Sequence, residues 1–165
     1  MIPKSIRHVV TQLAPGTPLH EGIEFILRAR TGALIVLGDS PEVMELTKGG
    51  FRIDAPYLPN SIYELAKMDG AIILSNALDR IMYANVHLFP SPDIPTNETG
   101  TRHASAERMS RATGKPVVAI SSRRNVITIY FNKYKYIMHD IGYSLNMANQ
   151  ALQTLARYRE VLEKA

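Results

Sequence analysis

Residues 64 to 75 read ELAKMDGAIILS. The first third continues a helix: Ser61-Ile62-Tyr63-Glu64 has the Ser-x-x-Glu spacing of a capping box, so a helix opening there is expected to run to about Lys67. Asp69-Gly70 then turns the chain, and Ala71-Ile72-Ile73-Leu74 is an unbroken apolar run of strand length, which reads as a strand buried on both faces. A helix that hands over through a tight turn to a doubly buried strand is a building block of an α/β layer structure.

The flanks repeat the pattern. Thr17-Pro18 reads as an N-cap followed by proline at the first helical position, and Leu19, Ile23, Ile26 and Leu27 then share one helical face, giving a helix over about 18–29. Ala33-Leu34-Ile35-Val36-Leu37, closed by Gly38, is a second buried strand. Ser40-Pro41 opens a short helix that Gly49-Gly50 is expected to end, and Phe51 to Asp54 reads as a strand. Downstream, a turn at Asn76 to Asp79 leads to a strand over Arg80 to His87. Residues 88–101 hold Pro90, Pro92 and Pro95, too much proline for a regular element, and form a long ordered loop or lid. A helix over about 103–113 stops at Gly114. Val117 to Ser121, Val126 to Phe131 and Tyr134 to Met138 supply three more strands, and from Ile141 the residues Leu145, Ala148, Leu152, Leu155, Tyr158 and Leu162 recur at helical spacing. The fold class is α/β, a mixed central sheet surrounded by helices, with a core over 1–140 and a C-terminal helix over 141–165 that completes the domain or leads into a further helical linker.

At 165 residues the chain suits one domain with a single substantial core. Hydrophobic residues at 45% and charged residues at 21% match a globular protein rather than a disordered one. No apolar run reaches the roughly 18 residues that span a bilayer, and the opening MIPKSIRHVV has no apolar stretch leading to a small-residue cleavage site, so a cytoplasmic location is expected. The absence of cysteine excludes disulfides, thiolate metal sites and thiol nucleophiles. A net charge of +4 and a pI near 9.4 favour anionic partners without choosing among them.

Two stretches interrupt apolar sequence with polar chemistry. Met68-Asp69-Gly70-Ala71 sets a carboxylate and a glycine at the mouth of a buried strand. The carboxylate suits a hard cation such as Mg²⁺ or Mn²⁺, and glycine admits a ligand close to the backbone. Read alone, a turn aspartate explains it as well or better. Gly100-Thr101-Arg102-His103 opens a helix, where free amide groups, a hydroxyl, a guanidinium and an imidazole suit a polyphosphate; a capped, solvated surface helix is the bland alternative. Ser121-Ser122-Arg123-Arg124 repeats the theme at a strand end, though such a segment is more often a hairpin tip. Neither Gly-x-x-x-x-Gly-Lys-Ser/Thr nor Gly-x-Gly-x-x-Gly is present, so a nucleotide site would not be of the P-loop or dinucleotide kind. Gly-x-Ser-x-Gly is missing too, and His8, His20, His87, His103 and His139 lack zinc-like spacing.

Taken together, Met68-Asp69-Gly70-Ala71 and Gly100-Thr101-Arg102-His103 resemble the two motifs of diadenylate cyclase domains. LAPGTPL at 13–19, TGALIVLG at 31–38, GGF at 49–51, ELAKMDGAIILS at 64–75, YANVHLFP at 83–90 and RRNVITIY at 123–130 are similar to the DNA-integrity-scanning branch of that family. The resemblance implies condensation of two ATP into cyclic di-AMP and two pyrophosphates with Mg²⁺ or Mn²⁺. It implies catalytic roles for Asp69, Arg102 and His103, with Asp69 as the metal ligand. Gly70 and Ala71 would shape the backbone near the ribose and α-phosphate. Leu88 and Ser105 would lie beside adenine, and Thr101, Ser121 and Arg124 would join the phosphate contacts. Because the product is nearly two-fold symmetric, the resemblance further implies a homo-oligomer with active sites face to face, an octamer among the forms it allows.

Two departures from the family pattern open alternatives. The family usually has Arg-His-Arg where this chain has Arg102-His103-Ala104, which leaves room for a weak or inactive module that binds ATP or cyclic di-AMP. Members of the branch continue into a helical spine and a DNA-binding helix-hairpin-helix domain, so no DNA binding is expected from this chain alone, and no membrane association. A basic nucleic-acid-binding domain is the remaining reading, supported only by the pI and the Arg123-Arg124 pair.

Overall fold

A computed structural model describes residues 7, 9, 11–121, 123 and 126–138. The helix expected over 141–165, and with it the proposed division of the chain near residue 140, lies outside the described residues.

Helix α1 (Pro18–Arg28) begins as its sequence dictates: Thr17 accepts a hydrogen bond from the His20 amide at 3.2 Å, and Pro18 supplies a preset φ at a position with no donor to lose. It is followed by β1 (Ala33–Leu37), α2 (Pro41–Glu45), β2 (Thr47–Lys48), β3 (Phe51–Pro56), α3 (Pro59–Ala66), β4 (Ala71–Leu74), β5 (Arg80–Leu88), α4 (Thr101–Thr113), β6 (Val117–Ser121), β7 (Val126–Phe131) and β8 (Tyr134–Met138). The strands form an eight-stranded sheet in the order β2-β5-β4-β1-β6-β7-β8, with β3 also paired to β5. Among the described residues only β1 and β4 run parallel; the other pairings are antiparallel. The fold is therefore the mixed α/β sheet covered by helices that the sequence implied.

Residues of β1 divide between two cores by the period of two. Ile35 and Leu37 join Ile72, Leu74, Val118 and Ile120 under α1 and α3, whereas Leu34 and Val36 join Ile73, Val117, Ala119 and Tyr130 under α4. Each fully buried aliphatic side chain of this kind contributes roughly 1.5–3 kcal/mol. The doubly buried runs at β1 and β4 are what force helices onto both faces.

Three local expectations need correction. Helix α3 begins at Pro59, with Leu58 at the N-cap position and no side-chain cap, so Ser61-x-x-Glu64 is not a capping box. Proline at the first helical position starts the helix earlier, and Glu64 instead pairs with Lys67 at 3.2 Å. Helix α2 ends at Glu45, not at Gly49-Gly50, because Thr47–Lys48 is drawn into a strand pair with His87 and Leu88. Helix α4 starts at Thr101, with Gly100 at its N-cap, and ends on Gly114 in the left-handed region at φ 71°.

Strand β5 carries the main irregularity. Its register against β4 shifts between Ala71↔Val86 and Ile73↔Tyr83, and Asn85 has φ 57°. Two glycines lie against this bend from opposite sides. A Cβ on Gly50 would stand 2.6 Å from the Ala84 carbonyl oxygen, and one on Gly70 would stand 2.8 Å from that of Val86. The bulge and its glycines bring the Asp69-Gly70 turn against residues 86–88.

Candidate active site

Strand direction gathers the polar motifs at one end of the sheet. The parallel pair β1 and β4 begins at that end, the antiparallel β5 and β6 finish there, and β7 starts and β8 finishes there. The first turn of α4 crosses above them, and two cavities open on either side of it.

The larger, about 620 Å³, is walled by Arg30 to Leu34 before and within β1, by Ala66 to Gly70, by Val86 to Leu88, and by Thr101, Arg102 and Ser105 of α4. It brings together Asp69, Gly70, Leu88, Thr101, Arg102 and Ser105, six residues singled out in the sequence. Ala71 is fully buried behind them, its methyl among the core side chains, and it does not line the cleft. Arg102 crosses to the sheet, donating from Nη1 to the Ile120 carbonyl at 3.2 Å. It can do so because residue 32 has no side chain: a Cβ on Gly32 would stand 1.9 Å from that same Nη1.

The smaller cavity, about 320 Å³, is lined by His103 and Ser121 from the expected set, together with Glu98, Arg123, Thr128 and Lys135. Arg124 lies outside the described residues. The His103 ring stands edge-on to Tyr130, with centroids 6.3 Å apart. Tyr130 is fully buried; its hydroxyl faces Glu98 and Thr128 but completes a hydrogen bond with neither, and burial, followed by the proximity of the Glu98 carboxylate, pushes its pKa up. Glu98 forms an ion pair with Lys135. Burial pushes the Glu98 carboxyl up, but the paired Lys135 ammonium and the His103 ring outweigh it and hold the group below the usual carboxylate range.

Reading the sequence missed Gly32, Glu98 and Lys135. Gly32 gives no local signal, since its partner lies far along the chain. Lys135 could have been found by alternation: β8 places Lys135 opposite Tyr130 and Ile137 opposite Thr128, all on the α4 side. The proline-rich loop is ordered by its own contacts, Arg108 Nε donating to the Ile94 carbonyl at 2.9 Å and the Glu98 amide to Thr96 Oγ1 at 3.0 Å. Ala104 lines neither cavity.

Among the described residues no three His, Asp or Glu side chains gather around a common point. An all-protein metal cage is therefore not what they build. The donors do suit Mg²⁺ or Mn²⁺ held through one exposed carboxylate, Asp69, with other positions left to water and phosphate oxygens.

Residues 20–134, which include every strand that borders the two cavities except the last four residues of β8, match the family described as DAC, DisA bacterial checkpoint controller nucleotide-binding. The chain belongs to the diadenylate cyclase domain family. The DNA integrity scanning protein DisA of Symbiobacterium thermophilum is 59% identical over 157 residues, which is 95% of this chain and 45% of that protein. DisA of Clostridium tetani is 57% identical over 156 residues, 94% of this chain and 43% of that protein. This diadenylate cyclase domain thus spans a little under half the length of the curated relatives it matches. Its fold is shared with a double mutant of DacA from Staphylococcus aureus, at TM-score 0.62 and 19% identity over 90% of this chain and 97% of that one. It is also shared with a hypothetical membrane spanning protein from Bacillus cereus, at TM-score 0.63 and 21% identity over 73% of this chain and 61% of that one. Among the described residues no helix is long and apolar enough to cross a membrane.

The Gly32–Arg102 contact makes a specific prediction for this diadenylate cyclase domain. Gly32→Ala should displace the guanidinium, a flexible side-chain end, and leave the backbone where it is. The melting temperature should stay close to that of the unaltered protein. Nucleotide affinity should fall on the order of tenfold, since a hydrogen bond to a charged group is worth about 1.5–3 kcal/mol. Calorimetric titration with ATP would show this, and unchanged affinity would place Arg102 outside the binding surface.

Proposed function

We propose that the chain condenses two ATP into cyclic di-AMP and two pyrophosphates, each subunit holding one ATP and two loaded sites meeting face to face. The observation that carries this reading is the first turn of α4 standing as a shared wall, with Asp69, Leu88, Arg102 and Ser105 gathered on one side and His103, Ser121, Arg123 and the Lys135–Glu98 pair on the other. A nucleoside triphosphate is long enough to span the two. Its base and ribose would lie in the larger cleft beside Leu88 and Ser105, and its phosphates would pass Thr101 and Arg102 at the start of α4 toward Arg123 and Lys135 in the smaller one.

In each half-reaction the 3′-hydroxyl oxygen of one ATP attacks the α-phosphorus of the other. A P–O3′ bond forms, the bond to the β-phosphate oxygen breaks, pyrophosphate leaves with the electron pair, and the hydroxyl proton passes to solvent. A bound divalent cation supplies charge neutralisation at the reacting phosphate. The protein's own work is placement: Thr101 and the free amides of α4 hold phosphate oxygens, Arg102 balances developing charge from a position fixed by Ile120, and Gly70 lets the ribose approach the backbone. Neither subunit alone presents both nucleotides.

Incubating the purified chain with ATP and Mg²⁺ or Mn²⁺ should yield cyclic di-AMP and pyrophosphate in a ratio of one to two by mass spectrometry. Specific activity should fall on dilution to a monomeric solution, and adding Asp69→Asn chains should poison mixed assemblies more than in proportion to their share. Product formed at constant specific activity by a demonstrated monomer would defeat the face-to-face arrangement. Tight ATP binding with no product at any concentration would favour a binding module in which Ala104 has removed turnover.

A further inference from the structure

Strand β8 carries none of the polar motifs read from the sequence, yet it delivers a cation to the smaller cavity. Lys135 lies directly across the ladder from Tyr130, with Nζ 5.9 Å from the centre of that ring. From there it reaches the cavity shared with His103, Ser121 and Arg123, and its ammonium is held by the Glu98 carboxylate. Glu98 ends the proline-rich loop just before α4, where a carboxylate would repel an incoming phosphate tail.

Resting on the triphosphate reading of this cavity, we infer that Lys135 is a ligand for the two terminal phosphates of ATP and for pyrophosphate, and that Glu98 is its internal competitor. In the ligand-free site the carboxylate takes the place of a phosphate oxygen on Lys135. When the polyphosphate enters, Lys135 exchanges one anion for another, and the carboxylate moves off the cavity. The fully buried Tyr130 hydroxyl faces Glu98 without a completed hydrogen bond and is placed to receive it as Lys135 leaves. This accounts for a buried polar group that otherwise lacks a partner. The exchange also weakens the grip on pyrophosphate, because Glu98 competes for Lys135 again as each product departs. Glu98 is thus a positioning residue that acts through Lys135, and the pair sets selectivity for nucleotides with terminal phosphates over monophosphates.

The test is calorimetric titration of the full chain and its variants with AMP, ATP and inorganic pyrophosphate at fixed ionic strength. Lys135→Met should weaken pyrophosphate and ATP by about tenfold or more, Lys135→Arg should restore most of the loss, and Glu98→Gln should tighten pyrophosphate by a similar factor. AMP, which has no terminal phosphates, should bind all forms alike. A structural role for the ion pair would instead make Glu98→Gln bind pyrophosphate more weakly, and that result, or an unchanged affinity in either Lys135→Met or Glu98→Gln, overturns the exchange. If the unaltered chain binds AMP and ATP but not pyrophosphate, the exchange is likewise wrong while the nucleotide reading stands. Failure to bind any of the three defeats the nucleotide reading itself.

Discussion

Asp69→Asn is expected to lower cyclic di-AMP synthesis by about 100-fold or more while leaving the melting temperature close to that of the unaltered protein. The two halves of that expectation have separate physical grounds. Asp69 is exposed at the lip of the larger cleft, and among the described residues it makes no hydrogen bond or ion pair. Its replacement by an isosteric amide therefore removes nothing the fold uses, and surface changes of that kind stay within about 0.5 kcal/mol. On the proposed mechanism, what the amide removes is the negative charge that would attract a divalent cation to the reacting phosphate. Product quantified by mass spectrometry, alongside a thermal melt, reads both halves. Synthesis near the unaltered rate would take Asp69 out of the mechanism, and a collapsed melt would make it a structural residue instead.

Gly70→Ala should fail in the opposite manner, losing activity and stability together. Gly70 sits at φ 91°, where a side chain is strained, and a Cβ there would lie 2.8 Å from the Val86 carbonyl oxygen and 2.9 Å from the Asn85 carbonyl carbon. Those are backbone atoms of a central strand and cannot swing aside as the Arg102 guanidinium can. Backbone strain of this type costs about 1–3 kcal/mol, and relief would come by pushing β5 away from the turn, which widens the cleft between Asp69 and Leu88. We expect a clear drop in melting temperature, and loss of synthesis even at temperatures where the variant remains folded. A variant that melts and turns over like the unaltered protein would mean that the turn does not press on β5 as described.

The comparison of these two neighbours also indicates which parts of the molecule were readable in the chain. Strands β1, β4, β6, β7 and β8 have the bounds expected from the sequence, because each is a compact apolar or alternating run between turn residues. The two-residue β2 was not readable: its reason for being extended is a partner at His87 and Leu88, and two residues cannot display a period. The misplaced start of α3 came from weighing a side-chain cap above a proline. Within the site, the described residues carried by recognisable motifs fell into the two cavities, with Ala71 displaced into the core, while Arg124 lies outside the described residues. Gly32, Glu98 and Lys135 owe their positions to chain segments that meet only in the folded sheet. For Gly32 the decisive fact is what a side chain there would strike, which a local pattern cannot state.

The gathering of both cavities at one end of the sheet has a counterpart at the other. There the connections are closed by their own hydrogen bonds: the Asn76 amide to Asp39 Oδ1 at 3.0 Å, the Leu37 amide to the Pro116 carbonyl at 2.9 Å, and Ser75 Oγ to Asp79 Oδ1 at 2.8 Å. The β7–β8 turn at Asn132 and Lys133 belongs to the same end and is exposed. Polypeptide inserted in that turn, a fluorescent reporter or an affinity tag for example, would sit a full strand length away from the rim that bears the two cavities. The domain therefore offers a handle at which cargo can be attached while the opposite rim, with both cavities, stays unobstructed.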